Sequence, residues 1–311
     1  MTRVRVAEIV DETPTIRSFR LVRCDGGPLG PYPAGAHVDV TGPTGATRQY
    51  SLCGPPAETG SYLIAVKREE PSRGGSAALH ERVVAGDELT VGDPRSLIGL
   101  APDATRHILL AAGVGITPIL SMAYHLHLTG GAFRLHYFAR SREQAAFVPL
   151  LERSGFAERA RFHFGVQRDE QPAALDAILA DLDGGTHVYT CGPKGFMQRV
   201  AESVPDDQLH IEHFQALEPS GEPDTEFELE IDTGEVFTVP ADRSILDVLE
   251  ENGLAVDTSC REGICGTCVL PVLDGEPDHR DNCLTKKEKA AGDQIAVCVS
   301  RARGPRLVVE L

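Results

Sequence analysis

Four cysteines in the last fifth of the sequence are the side chains most clearly spaced for chemistry. Cys260, Cys265 and Cys268 follow the pattern C-x4-C-x2-C, and Cys298 lies further along the chain. Thiolates in this spacing can hold two irons bridged by two sulfides. Glycines between them suit a backbone that wraps closely around a cluster and turns its amides towards sulfur. The pattern predicts a 2Fe-2S cluster bound by these four cysteines.

Zinc and disulfide bonds are the alternative uses of these cysteines. Zinc knuckles carry two short C-x2-C or C-x2-H pairs, whereas this loop has one such pair after a four-residue gap. Disulfides suit small secreted chains, and this chain of 311 residues starts with a strand pattern, not a signal peptide. Cys24, Cys53, Cys191 and Cys283 are isolated, and we expect Cys283 not to bind the cluster.

Composition limits the class of protein. The net charge of -16 argues against a nucleic-acid partner, and no apolar run is long enough for a membrane helix. We therefore expect a cytoplasmic protein, with a monomer as the simplest state. Residues 224–311 hold 9 lysines and arginines against 19 acids. That acidic surface would either steer a basic partner or simply be well solvated.

Short strands separated by glycine and proline turns dominate the first hundred residues. Their spacing of roughly ten residues predicts an antiparallel β-barrel. The predicted strands are residues 3–10, 16–22, 37–40, 48–52, 62–67 and 88–91. One helix is expected at residues 76–82, with Ser76 as its N-cap.

Two pieces of this barrel suit a phosphate-bearing ligand. Residues 48–52, Arg-Gln-Tyr-Ser-Leu, place Arg48 and Tyr50 on one face of a strand and Ser51 on the other. Residues 73–76, Arg-Gly-Gly-Ser, open the helix, where free amides beside an arginine and a hydroxyl form a phosphate cradle. Either piece alone is commonplace, and their order along the chain makes them informative.

Strands and helices alternate after Pro94, which predicts a doubly wound parallel sheet over about residues 101–217. An apolar strand at 106–112 leads through Gly-Val-Gly-Ile-Thr-Pro to a helix from Ile119. The glycines let a pyrophosphate approach the helix N-terminus, although Pro118 replaces the third glycine of the usual fingerprint. Further strands are predicted at 133–139 and 160–164, with a helix beginning near Gln144 and a final strand at 187–190.

Two more segments of this region bear on the nucleotide. Cys-Gly-Pro at 191–193 follows the last predicted strand, at the edge where open α/β sheets bind ligands. Arg140 and Arg142 follow the second strand, where an acid would bind ribose hydroxyls and repel a 2′-phosphate. These basic residues favour NADPH or tolerance of both nucleotides.

The C-terminal segment has the order of a β-grasp fold. A Pro/Gly/acid linker at 217–224 precedes a hairpin at 227–231 and 235–239. A capped helix at 244–252 then leads to the cysteine loop. We predict three domains: an antiparallel barrel at 1–100, which the resemblance described next makes flavin-binding, an NAD(P)-binding domain at 101–222 and a 2Fe-2S domain at 223–311.

Together these motifs resemble the family of phthalate dioxygenase reductase and vanillate demethylase reductase, over nearly the whole chain. The family supplies electrons from NADH to Rieske non-haem iron oxygenases. The resemblance implies FMN, since only a terminal phosphate site is evident, with FAD as the alternative. It also implies NADH, whereas Arg140 and Arg142 favour NADPH or tolerance of both nucleotides. At the C-terminal end it implies a plant-type ferredoxin.

The resemblance also implies roles for individual residues. Tyr50 would lie on the flavin ring, Ser51 would offer its hydroxyl to the ring edge, and Cys191 would lie beside the nicotinamide carbon that gives up hydride. Ser51 and Cys191 are therefore the predicted catalytic residues. The other predicted cofactor-binding residues are Arg48, Val66, Lys67, Gly74, Gly75, Ser76, Gly113, Gly115, Thr117, Pro118, Arg140, Gly192, Pro193 and Phe214.

The three cofactors have a physical order. Nicotinamide gives two electrons as hydride, a 2Fe-2S cluster accepts one, and a flavin can do both, so the flavin must lie between them. Catalysis would be mostly positioning, with reacting atoms about 3 to 3.5 Å apart, and no general acid–base pair is expected. The alternatives are a reductase for a cytochrome P450 and a redox sensor without turnover.

Overall fold

The computed structural model of the protein describes residues 1–70, 74–216 and 224–311. They divide into two units, Met1–Glu212 and His213–Leu311. Three features of the prediction lie outside the described residues. They are Arg73, the domain boundary between residues 222 and 223, and all of the linker except Asp224. The division into three domains therefore stays a prediction.

Six antiparallel strands form the first sheet, because apolar residues alternate with polar ones along them. On the first strand Val4 and Val6 are fully buried, while Arg3 and Arg5 point outward. The strands are β1 Thr2–Thr13, β2 Ile16–Arg23, β3 His37–Thr41, β4 Thr47–Ser51, β5 Tyr62–Lys67 and β6 Glu88–Val91. Their order is β4-β3-β6-β1-β2-β5, and a bridge between Leu52 and Ile64 joins the two edges. The predicted barrel is confirmed.

The helix of the barrel, α1 (Gly75–Arg82), begins one residue earlier than predicted. Gly74 is its N-cap, with a left-handed φ of 92°, and no side chain caps the helix. The prediction of Ser76 as N-cap was wrong because glycine supplies the turn into the helix. Ser76 lies in the first turn, where its Oγ accepts the Glu69 N–H at 3.2 Å.

A five-stranded parallel sheet forms the rest of the first unit, which confirms the doubly wound fold. Its strands are β7 Arg106–Ala112, β8 Phe133–Ala139, β9 Ala160–Phe164, β10 Thr186–Cys191 and β11 Leu209–Glu212, in the order β11-β10-β7-β8-β9. Its helices are α2 Ile116–Thr129, α3 Val148–Arg153, α4 Gln171–Leu179 and α5 Lys194–Ser203. Helices α2 and α3 pack on one face of the sheet, and α4 and α5 pack on the other.

Two local predictions in this sheet were wrong. The helix expected from Gln144 begins at Val148, because Phe147 takes a left-handed φ of 62° and only a short 3-10 turn precedes it. The N–H of Phe147 donates to Glu12 Oε2 at 3.1 Å. The strand at β10 is not the last, since β11 adds an edge strand that ends at Glu212.

The second unit is a five-stranded sheet with two helices. Its elements are β12 Phe227–Ile231, β13 Val236–Val239, α6 Ile245–Glu251, β14 Val269–Asp274, β15 Pro277–Asp278, α7 Lys286–Ala291, β16 Gln294–Ala296, β17 Arg301–Ala302 and β18 Arg306–Val309. The sheet order is β13-β12-β18-β14-β16, with β18 in the centre and parallel to β12. The capped helix is confirmed: Ser244 and Asp247 form a capping box at the start of α6.

Helix α6 covers the core of this unit. Ile245, Leu246 and Leu249 on the helix are buried with Leu229 and Leu307 of the sheet. The arrangement is the predicted β-grasp fold. None of the helices in the described parts of the chain is both long and apolar enough to span a bilayer.

Candidate functional site

The four cysteines of the second unit lie in two pairs. The thiols of Cys260 and Cys265 are within hydrogen-bonding reach of each other, and so are those of Cys268 and Cys298. Nowhere among the described residues do three metal-binding side chains converge on one ion. Two adjacent pairs suit two irons, whereas tetrahedral zinc needs all its ligands around one centre. The donor set therefore fits a 2Fe-2S cluster better than zinc.

Backbone amides of the loop point at the sulfurs. The N–H of Glu262 donates to Cys260 Sγ at 3.3 Å, and the N–H of Thr267 donates to Cys265 Sγ at 3.5 Å. Such donors stabilise negative charge on thiolate ligands. The loop can take this shape because Gly263 has a φ of 68°, and a Cβ there would lie 2.6 Å from Val299 Cγ2.

Within each pair, one thiol holds its proton and helps the other to ionise. Contact with Cys265 and burial raise the pKa of Cys260, whereas the same contact lowers the pKa of Cys265 to about 4. Cys298 and Cys268 divide in the same way, with the pKa of Cys298 raised and that of Cys268 lowered. Four neighbouring thiolates need the positive charge that iron supplies. All eight cysteines lie in the described ranges, and none forms a disulfide.

Cys283 differs from these four thiols. Burial and the neighbouring Asp281 carboxylate raise the pKa of Cys283, and its Sγ donates to Asp281 Oδ2 at 3.4 Å. Asp281 is fully buried and also accepts the Leu284 N–H at 2.9 Å. This contact supports the prediction that Cys283 is not a ligand.

The carboxyl ends of β7 and β10 meet at the point where the strand order of the parallel sheet reverses. Gly113 follows β7 at this edge, and Gly115 packs against the backbone after β10. A Cβ on Gly115 would overlap the Cys191 carbonyl and lie 2.7 Å from the Gly192 nitrogen. Such a switch point is where doubly wound folds bind nucleotides. The structure thus brings Gly115, Cys191 and Gly192 together.

Other predicted nucleotide-binding residues lie at the same edge. Thr117 and Pro118 are buried in the first turn of α2, and Thr117 Oγ1 donates to the Val114 carbonyl at 3.0 Å. Pro193 is the N-cap of α5. Arg140 is the exposed residue directly after β8.

The barrel places its predicted flavin residues on β4, β5 and α1. Arg48 is half-buried and packs on Gly75 at the start of α1: a Cβ there would lie 2.9 Å from Arg48 Cγ. The arginine, Gly74, Gly75 and Ser76 are therefore together, which fits a terminal phosphate. Burial raises the pKa of Tyr50 to about 12.

Val66 and Lys67 are the last two residues of β5, and their contacts differ from those of the residues in the phosphate cradle. The Val66 side chain is in the barrel core, and its carbonyl oxygen lies 2.8 Å from His80 Nε2. Lys67 Nζ pairs with Glu69 Oε1 at 2.8 Å. Phe214 lies in the second unit, where it is exposed.

Glu212 is a functional candidate that the sequence analysis missed. It ends β11 and is buried, and Ser51 Oγ donates to its Oε1 at 3.1 Å. Burial raises the pKa of Glu212 to about 8, and the Ser51 contact opposes that rise. Burial and Glu212 together raise the pKa of Cys191, which is fully buried. The two predicted catalytic residues thus share a buried carboxyl group.

Two polar atoms at the ends of β10 and β11 have no partners in the described parts of the chain. Glu212 Oε2 and Thr190 Oγ1 are buried and find no hydrogen-bond partner among the described residues. Buried polar groups are rarely left unpaired, so a ligand that supplies partners is expected here. The residues present fit a flavin and a nicotinamide. No pattern in the sequence singles out Glu212, because Leu-His-Ile-Glu carries little periodicity.

Two family models match the chain. One is described as "2Fe-2S iron-sulfur cluster binding domain" and matches residues 229–303. The other is described as "Dimethylamine monooxygenase subunit DmmA-like, N-terminal domain" and matches residues 94–212. The first contains all four paired cysteines, which confirms the predicted cluster.

Individual proteins are similar over nearly the whole chain. Vanillate O-demethylase oxidoreductase of Pseudomonas sp. (strain HR199 / DSM 7063) is 46% identical over 302 residues, which are 95% of this chain and 95% of that protein. The solved structure of phthalate dioxygenase reductase, a modular structure for electron transfer from pyridine nucleotides to [2Fe-2S], is 37% identical with a TM-score of 0.72. The match covers 99% of this chain and 97% of the phthalate dioxygenase reductase chain.

A fused protein is similar as well. The structure of an intact type IV self-sufficient cytochrome P450 monooxygenase is 38% identical with a TM-score of 0.89. The match covers 100% of this chain but 41% of the P450 chain. The same modules therefore occur in proteins named for two kinds of oxygenase.

Proposed function

The chain belongs to the family of phthalate dioxygenase reductase and vanillate O-demethylase oxidoreductase, and from this premise we propose that it reduces a Rieske-type oxygenase acting on aromatic compounds. It is an NAD(P)H-dependent flavin and iron–sulfur oxidoreductase, the electron-transfer component of an oxygenase system. The choice of partner rests on the share of each relative's length that this chain matches. The match extends over 95% of the vanillate enzyme and 97% of the phthalate enzyme, but 41% of the P450.

The proposal assigns one cofactor to each predicted domain. FMN would bind the barrel at residues 1–100, a nicotinamide nucleotide the domain at 101–222, and the cluster the domain at 223–311. FMN is favoured over FAD because Arg48 and the start of α1 form a site for a terminal phosphate. NADH is favoured over NADPH by the family resemblance.

Bound flavin would supply the step from hydride to single electrons. The protein's own residues position the reactants. Gly115 lets α2 pack closely against Cys191 and Gly192, so the nicotinamide would meet the strand ends directly. Tyr50 would hold the ring system by stacking, and the fully buried thiol of Cys191 helps exclude water from the reacting atoms.

Ser51 and Glu212 add a proton site to this arrangement. With its pKa raised to about 8, the Glu212 carboxyl group is largely protonated at neutral pH. It can hold a proton at Oε2, while Oε1 accepts the Ser51 hydroxyl, without placing a buried charge next to Cys191. No general acid–base pair is expected from the sequence, and Glu212 is the candidate for a single proton-holding group.

Electrons leave the second unit through the paired cysteines. The acidic surface of residues 224–311 supports a partner with a basic docking patch, since complementary charge speeds encounter. A monomer in the cytoplasm stays part of the proposal, and eight free thiols are consistent with a reducing compartment.

Reconstitution tests this function. The purified holoprotein is mixed with NADH and either the oxygenase component of a vanillate O-demethylase or a bacterial cytochrome P450 with its substrate. We expect NADH-dependent product only with the Rieske enzyme. Product with the P450 alone would select the alternative, and no steady NADH oxidation even with ferricyanide or cytochrome c as acceptor would support the sensor hypothesis. Extraction and chromatography of the flavin separate FMN from FAD.

A further inference from the structure

Asp281 is a fully buried acid in the segment between the third and the fourth paired cysteine. Ser300 Oγ donates to Asp281 Oδ1 at 3.3 Å, and the Leu284 N–H donates to Oδ2 at 2.9 Å. Lys289 Nζ lies 3.6 Å from Oδ2, and His279 Nδ1 lies 3.5 Å from Oδ1. A buried carboxylate is costly unless such partners compensate it, so this one is fixed in position by the fold around it.

The chain at Asp281 also contacts the cysteine loop, residues 260–268. The backbone N–H of Asn282 donates to the Gly263 carbonyl at 2.7 Å, and a Cβ on Gly263 would lie 3.0 Å from the Asp281 Cα. The Gly263 N–H in turn donates to the Cys298 thiol. This part of the chain therefore backs the loop residue that contacts the fourth cysteine.

The hydroxyl of Ser300 fixes the chain after Cys298. Ser300 is fully buried and lies two residues beyond that cysteine. Its Oγ accepts the Arg280 N–H at 3.0 Å and donates to Asp281, so one hydroxyl ties the Cys298 segment to both residues. A shift of this segment would part Cys298 from Cys268, its partner in the second pair.

We propose that Asp281 is a positioning residue for the cluster, because it holds the Cys298 segment against the cysteine loop. The inference rests on the proposed ligand set of four paired cysteines. The Asp281 carboxylate also adds a buried negative charge behind the loop. Reduction adds an electron to a cluster, and nearby negative charge opposes it, so this carboxylate lowers the reduction potential.

Release of iron tests the positioning. The holoprotein is mixed with a chelator of ferrous iron in the presence of dithionite, and formation of the coloured iron complex is followed. Contacts behind metal ligands are worth about 10- to 100-fold in metal affinity. We therefore expect iron to leave Asp281→Ala about tenfold faster than the unmodified protein. Asp281→Asn keeps an oxygen for the Leu284 N–H, so its rate should lie between the two.

A redox titration of the cluster gives a readout that lost stability alone would not move. Asp281→Asn should shift the reduction potential to a more positive value, because one buried negative charge is gone. Asp293→Asn removes the charge of an exposed acid in the same unit, and should leave both the potential and iron release unchanged. Ser300→Ala keeps the charge but loses the hydroxyl link, and should release iron faster with a smaller shift.

An unchanged rate of iron release or an unchanged potential in Asp281→Asn overturns the inference, as do equal changes in Asp293→Asn. If Asp281→Ala binds no iron, Ser300→Ala decides in its place: faster release supports the inference, and release at the unmodified rate contradicts it. An unmodified protein without cluster absorption bands would instead overturn the proposed ligand set.

Discussion

The cluster loop and the nucleotide site are assembled in contrasting ways. The loop region carries the four cysteines proposed as ligands within residues 260–298, three of them in a segment with no regular helix or strand. The proposed nucleotide site lies at the ends of regular strands, and its Ser51–Glu212 contact joins residues 161 positions apart. Metal ligands must be specific residue types, and three of these four cysteines lie close together in the sequence. A site built from packing and hydrogen bonds can draw its parts from anywhere in the chain.

The contrast predicts that the two sites fail independently, and Cys265→Ser tests this most strongly. Loss of one thiolate from its pair should abolish the cluster absorption bands and electron delivery to the oxygenase. Reduction of the flavin by NADH should stay within about twofold of the unmodified protein, since positioning at that site is untouched. Absorption spectra and stopped-flow reduction measure both.

Cys24→Ser is the matched control for this variant, because Cys24 is an exposed thiol outside the cluster. It should change neither signal. If Cys265→Ser also stopped flavin reduction, the two sites would depend on each other and the contrast would not hold.

Gly115→Ala addresses the other site. The added Cβ must push apart α2 and the end of β10, and misplacement of this size costs about 100-fold in rate. We expect NADH-driven flavin reduction to fall by about that factor, with the cluster spectrum unchanged. Gly184→Ala, where a Cβ has open space, is the control. Equal activity of the two variants would contradict the close approach.

Glu212→Gln tests the buried carboxyl through pH. The pKa of Glu212 is about 8 when folded, against an ordinary value of 4.5. Between these values the folded chain holds a proton that the unfolded chain has lost, so stability falls as pH rises from about 4.5 to about 8. The glutamine variant lacks this contribution.

The expected result is a thermal midpoint that falls with pH more steeply in the unmodified protein than in Glu212→Gln. Each pKa unit of the shift corresponds to ~1.4 kcal/mol, so a difference of several degrees is expected. Glu202→Gln, at an exposed acid on α5, should keep the steeper slope. Parallel slopes in all three proteins would refute the raised pKa.

Ser244→Ala produces the smallest effect. Loss of the N-cap of α6 should cost ~1 kcal/mol and lower the temperature at which the cluster bands disappear. The spectrum below that temperature should not change, because Ser244 touches no ligand. Thr285→Ala removes the same capping box from α7, which has no buried residues. A larger fall in this temperature for Thr285→Ala than for Ser244→Ala would contradict the idea that α6 supports the cluster through its buried side chains.

Sequence patterns predicted several regular elements well. Strands β5, β6, β8 and β9 have the predicted bounds, although β5 is buried along all but its last residue, and the cap of α6 follows from Ser244 and Asp247. The short edge strand β11 was not expected because Leu-His-Ile-Glu carries little periodicity. The start of α3 was misplaced because nothing local shows that Phe147 takes a left-handed backbone.

The same limit applies to the sites. Cysteine spacing placed the four candidate cluster ligands in one C-terminal segment, while Glu212 became visible only once the fold brought it to Ser51.

Strand β18 has a consequence for biosynthesis. It is the central strand of the second sheet and the last of its five strands to leave the ribosome. A nascent chain made as far as Ser300 already carries all four thiols proposed to bind iron, but it lacks the strand that joins β12 to β14. Iron–sulfur loading into a stable scaffold must therefore follow synthesis of residues 306–309, and stalled translation before that point would release a chain with four unprotected thiols.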